Sequence, residues 1–178
     1  MATLKEVDKS SRALHSYLKD DDKCFFYEEY TSHAGFAYSN FNQLILNFKK
    51  EISKKASSEW GYKLGAIETI ATWLANTFAT VSRIKDITII PIPPSKVKTN
   101  PEYDDRLLQV LKRTEVKLGF NLDIRELIIN VKDREPLHKV SNRLSPEGLK
   151  QEYLRFDEAC MVIPPFIAVS KSKNLGCL

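Results

Sequence analysis

Between residues 60 and 92 the apolar residues change their spacing, and that change limits the fold class more than any other feature. From Trp60 to Arg83, Leu64, Ile67, Ile70, Ala71, Leu74, Phe78 and Val81 keep a helical period. Ile87-Thr88-Ile89-Ile90-Pro91-Ile92 follows without alternation, as expected of a strand covered on both faces. Pro93-Pro94-Ser95-Lys96 ends that run, and the polar stretch from Val97 to Tyr103, with Pro101 inside it, reads as an exposed loop. Asp104 is placed to cap a helix carrying Leu107, Leu108, Leu111 and Leu118. Leu127-Ile128-Ile129-Asn130-Val131 then predicts a second buried strand. Ser145-Pro146-Glu147 has the form of a helix start, with Leu149, Tyr153 and Leu154 facing the core, and Phe166-Ile167-Ala168-Val169 predicts a third strand. Strand, helix, strand, helix, strand implies an α/β fold, a parallel sheet with flanking helices.

The chain before residue 60 reads as mainly helical. Thr3 and Glu6 have the spacing of a capping box, with Leu4, Val7, Leu14 and Leu18 on one helix face. Lys19-Asp20-Asp21-Asp22-Lys23 reads as a solvated turn, and Cys24 to Tyr30 as a short aromatic strand. From Asn40 to Ile52, Phe41, Leu44, Ile45, Phe48 and Ile52 form one helical stripe. Lys49, Lys50, Lys54 and Lys55 lie in or after its last turn, where cations complement the helix dipole.

No repeat, low-complexity tract or linker divides the 178 residues, so one domain is expected, large enough to bury a core. No apolar run reaches the roughly 18–20 residues of a bilayer span, and the N-terminus lacks the basic-then-apolar pattern of a secretory signal. Cys24, Cys160 and Cys177 are odd in number and form no CxxC pair. These features predict a cytoplasmic protein in a reducing compartment, without a membrane partner. The net charge of +4 suits anionic ligands without selecting one.

Ligands of open parallel sheets bind outside the carboxyl ends of the strands. That rule selects the loops 93–103, 132–143 and 170–176. The first opens onto a helix, so its backbone N–H groups and Lys96 suit an anion. The second carries Lys132, Arg134, His138, Lys139 and Arg143, a set of donors for a flap over a phosphate-bearing ligand. The same residues also suit plain solvation of exposed loops. His15, His33 and His138 are too far apart in sequence for a recognisable metal motif, and no GxxxxGK[ST], GxGxxG or GxSxG occurs.

The ordered set of segments resembles the phosphoribosyltransferase family, in particular its competence protein F branch and related amidophosphoribosyltransferases. Leu46-Asn47-Phe48-Lys49 is similar to the helix preceding the family core. Ile89 through Lys96, followed by Asp105-Arg106-Leu107-Leu108, is similar to its strand, pyrophosphate loop and next helix. His138 through Phe156, with Asn142-Arg143-Leu144-Ser145 inside it, is similar to its flexible loop and following helix. The resemblance spans about residues 40–169. It implies a type I phosphoribosyltransferase-like core at 61–169, a hood-like part at 1–60 and a disordered tail at 170–178.

It further implies a transferase of nucleotide metabolism that handles 5-phosphoribosyl-1-pyrophosphate, or another phosphorylated small molecule, with Mg2+ bridging the pyrophosphate. Catalysis in that family is chiefly positioning and electrostatic stabilisation. Ser95 and Lys96 would contact pyrophosphate through their backbone, and Lys132 and Arg134 would close over it, together with His138 and Arg143. Arg106 has a weaker claim, since pairing with Asp104 or Asp105 accounts for it equally well. The departure lies after Val169. There the family carries two acidic residues for the ribose hydroxyls and a Thr-Thr-Gly turn for the 5-phosphate, whereas Ser170 to Leu178 contains no acidic residue. The implied core is therefore C-terminally incomplete, and turnover by this chain is expected to be impaired or absent. The alternative is a non-catalytic binding or scaffolding subunit, pairing with itself or another protein through an open sheet edge. Nucleic-acid binding is disfavoured, because no helix-turn-helix, OB or RRM signature accompanies the basic residues.

Overall fold

The computed structural model describes residues 2–12, 15, 18–19, 21–135 and 145–161. They belong to two compact units, one holding the chain as far as Ile45 and the other Leu46–Val162.

In the first unit, β1 (Lys5–Glu6) pairs antiparallel with β2 (Phe25–Phe26), Lys5 opposite Phe26. The expected capping box at Thr3 therefore does not start a helix, because Lys5 and Glu6 are extended in that ladder. The helical turn comes later, as α1 (Lys9–Arg12), where the Asp8 carboxylate accepts the Ser11 N–H at 2.7 Å. Val7 is buried as its pattern suggests, while Leu14 lies outside the described residues. The aromatic strand shortens to Phe25–Phe26. The loop before α2 (Asn40–Phe48) is organised by Asn42, which is fully buried. Its amide accepts from the Thr31 N–H at 3.1 Å and donates to the Thr31 and Gly35 carbonyls at 2.9 and 3.1 Å. Gly35 adopts φ +81°, a conformation that a side chain disfavours.

The second unit is built on α3 (Trp60–Phe78) and α4 (Arg106–Leu118). Ala66, Ile67, Ala71, Leu74, Ala75 and Phe78 of α3 and Val110 and Leu111 of α4 are buried. Thr114 is buried with them, and its hydroxyl donates to the carbonyl of Val110 at 2.9 Å. Gly119 closes α4 at φ +73° and donates its N–H to the Glu115 carbonyl, the left-handed cap that glycine allows. Leu107, one of the leucines carried by this helix, is exposed. Two helices are shorter than their periodicity predicts. The α2 helix stops at Phe48 rather than Ile52, because side-chain cations take the carbonyls of Phe48 and Lys50. The α3 helix stops at Phe78 rather than Arg83, where the Thr80 hydroxyl donates to the Thr77 carbonyl and Arg83 turns to φ +67°.

The strands differ most from expectation. Only Thr88–Ile89 of the apolar run forms a strand, β3, and Ile87 and Ile92 are 44% and 63% exposed. Prolines 91, 93 and 94 lack the N–H that a longer ladder requires. β3 pairs in parallel with β4 (Asp123–Ile124) across the α4 crossover, Thr88 opposite Asp123. β5 (Ile128–Asn130) is half-buried, and its partner is the antiparallel β6 (Leu154–Phe156), so Leu154 is a strand residue and not a helical one. The helix between them, α5 (Pro146–Glu152), starts as predicted, with the Ser145 hydroxyl accepting the Gly148 N–H at 3.1 Å. Among the described residues the architecture is thus helices with three two-stranded sheets. The strand expected at Phe166–Val169 lies outside them.

Within the second unit, one buried ionic cluster ties the chain at Phe48 and Lys50 to α3 and α4. Lys63, at 0% exposure, donates to Asp104 at 2.6 Å and to the Lys50 carbonyl at 2.7 Å, with Trp60 beneath its ammonium. Arg106 meets the same Asp104 oxygen at 2.7 Å and donates to the Phe48 carbonyl at 3.2 Å. Burial draws the Lys63 ammonium below the ordinary lysine range, opposed by the bond to Asp104. Removing one member leaves a desolvated charge without its partner. Asp104→Asn and Lys63→Ala are each expected to lower unfolding free energy by about 3 kcal/mol. Lys98→Ala, at an exposed ion pair, should cost under about 1 kcal/mol. Urea denaturation monitored by circular dichroism checks the contrast, and equal small losses would contradict it.

Candidate functional site

The site is defined by one loop, Pro93 to Tyr103, held in place by the segment from Glu126 to Arg134. Four contacts fasten it. The Asn130 amide donates to the Pro94 carbonyl, at the point where β5 ends. The Arg134 N–H donates to the Ser95 carbonyl at 2.9 Å. The Asp133 carboxylate accepts the Val97 N–H at 2.8 Å and, through its other oxygen, the Asn100 amide. Glu126 pairs with Lys98 at 2.9 Å and accepts a long hydrogen bond from the Tyr103 hydroxyl. Because Asp104 follows directly, the ionic cluster beneath α4 fixes the far end of the same loop.

The electrostatics follow from those contacts. The Val97 N–H and the Asn100 amide, with the positive charge of Lys96 nearby, hold the Asp133 carboxyl below its usual range. The bond to Glu126 raises Lys98. Burial raises the Tyr103 hydroxyl, and the Glu126 charge adds to that. Arg134 is half-buried, and burial lowers its guanidinium, with no carboxylate offsetting the effect. Among the described residues its Nε is a buried donor without a hydrogen-bond partner, and the Asn130 Oδ1 is a buried acceptor in the same condition. Unsatisfied buried polar atoms are costly and rare, which makes this corner a place where a polar ligand would gain most.

The predicted site residues separate into four groups. Ser95, Lys96 and Arg134 come together, through the Ser95–Arg134 backbone bond and the shared neighbour Asp133. Arg106 is committed to Asp104 and the Phe48 carbonyl, the pairing that its sequence neighbours offered. Lys132 is exposed, 3.5 Å from Glu152 and over the Tyr153 ring, so the β5–β6 side of the segment holds it. His138 and Arg143 lie outside the described residues.

Asp133, Asn100 and Asn130 carry the geometry but were not among the expected residues. Asp133 is one of two acids, with Glu135, in the basic loop, Asn130 is the one amide within an apolar strand run, and Asn100 carries no signal of its own. The donors of the loop, amide N–H groups with Lys96 and Arg134, suit an anion. Among the described residues no group of three or more His, Cys, Asp or Glu is arranged to hold a metal ion. Nor is any helix among them long and apolar enough to cross a membrane.

A depressed carboxyl stabilises the fold above its unfolded pKa, and the contribution is lost as pH falls through the folded value. The Asp133 staple is therefore intact at neutral pH and opens in acid. The Val97 amide proton resonance should move as the pH falls from about 5 to below about 3, and Asp133→Asn should abolish that movement. A Val97 resonance indifferent to pH across that range would contradict the assignment.

No protein-family model, no curated protein and no solved structure matches the chain.

Proposed function

We propose that the second unit binds a phosphate- or pyrophosphate-bearing ribose ligand, of the 5-phosphoribosyl-1-pyrophosphate type, between the Pro93–Asn100 loop and Arg134. The observation that carries the reading is Arg134. Its backbone N–H holds the loop at Ser95, and among the described residues its half-buried guanidinium has an unpartnered Nε. Guanidinium groups bind phosphate oxygens through charge-assisted bonds, and a desolvated one gains more from doing so than a solvated one. Lys96 adds a second cation. The resemblance noted in the sequence supplies the ligand class, and the loop chemistry agrees with it.

The proposal is of binding without efficient turnover. Positioning the ribose requires acceptors for its hydroxyls, and the two residues directly after the Phe166–Val169 run, Ser170 and Lys171, are not acidic. Magnesium enters as a companion of the ligand's phosphates, since the loop donors do not themselves suit a cation. The parallel sheet of a phosphoribosyltransferase-like core belongs to this same reading, with the β3–β4 pair as its present support.

Calorimetric titration with 5-phosphoribosyl-1-pyrophosphate and magnesium tests the proposal. Micromolar binding is expected for the chain, with at least a tenfold loss in Lys96→Ala/Arg134→Ala, as expected when charge-assisted bonds worth about 1.5–3 kcal/mol each are removed. Absence of binding at millimolar ligand would overturn it.

A further inference from the structure

We propose that Asp133 is a built-in competitor for this anion site: its carboxylate occupies donors that a ligand phosphate would take, and the ligand displaces it. The inference rests on the phosphate-binding reading above. Two uncharged donors of the 93–103 loop, the Val97 N–H and the Asn100 amide, converge on this one carboxylate, each oxygen taking one of them. The arrangement has the form of a bound oxyanion, delivered by a side chain 36 positions along the chain from Val97. The carboxylate lies at the surface, open to exchange with solvent anions. Lys96 acts on it only through its field, and Arg134, the next residue in the chain, leaves its Nε unpaired rather than turning to it. The cations of the site are thus left available while the neutral donors are occupied.

A carboxylate whose role were only to tie the two loops would help any ligand that uses the ordered loop. Neutralising it would then weaken anion binding or leave it unchanged. A competitor has the opposite sign. Removing its negative charge weakens its hold on the donors, so that a phosphate displaces it more readily, and lifts repulsion from the incoming phosphate.

The test uses inorganic pyrophosphate and calorimetry on the full chain, on Asp133→Asn, on Asp133→Ala and on Arg134→Ala. Asp133→Asn retains a carbonyl oxygen for the Val97 N–H, so the loop stays fastened even if Asp133→Ala loosens it. Circular dichroism confirms folding of each variant. Asp133→Asn should bind pyrophosphate at least about fivefold more tightly, the effect of lifting one like charge at a solvated contact distance. Binding by Asp133→Asn alone, with none by the unaltered chain, would support the same conclusion. Equal or weaker binding in Asp133→Asn, with Arg134→Ala still losing affinity, would overturn the competitor and leave the phosphate site standing. Absence of binding in all four proteins would overturn the phosphate reading and the competitor with it.

Discussion

The second unit depends on one buried carboxylate. Asp104 stands between Lys63 of α3 and Arg106 at the start of α4, and both cations also reach backbone carbonyls just beyond or at the end of α2. Each charge would be expensive to bury alone, and together with the carbonyls they satisfy one another. Aromatic rings complete the enclosure, Trp60 against Lys63 and Phe48 against Arg106. The cations also sit where the negative end of the α2 dipole lies, so the same groups end that helix and orient the next two.

From this anchor the candidate site follows almost mechanically. Asp104 is the last residue before α4 but one, so fixing it fixes the exit of the 93–103 loop. The entry is held at Pro94 and Ser95 by Asn130 and Arg134, and the middle by Asp133 and Glu126. An ordered loop rich in proline and fastened at three places loses little freedom when a ligand arrives. That ordering places the proposed anion site, and the half-buried Arg134 guanidinium supplies its charge.

Much of the framework was legible in the residues. The α3 and α4 helices follow from periodicity, and the start of α5 at Ser145 and Pro146 from capping chemistry. The parallel partner of Thr88–Ile89 across α4, however, is Asp123–Ile124 and not the run expected at Leu127–Val131. Arg106 pairs with the acidic residue that its immediate surroundings suggested. Strand length was not legible from apolar content, because Pro91 and its successors decide it through missing N–H groups. Lys63 could not be read as buried, since a lysine within a helix is ordinarily solvated and its partner lies 41 positions away. Asp133 was hidden for a similar reason: its partners are in a different loop, and acids alternating with bases, as Asp133 and Glu135 do, look like solvation. Local patterns report faces and caps, whereas these two groups take their roles from contacts that only the folded chain creates.

The most direct measurement of the central claim is the Arg134 Nε–H resonance in a nitrogen-labelled sample titrated with inorganic pyrophosphate. The account predicts a saturable downfield shift of this resonance, as a buried donor without a partner acquires a phosphate oxygen. A resonance that stays in place through millimolar pyrophosphate, or moves only in step with solvated arginines such as Arg83, would contradict it.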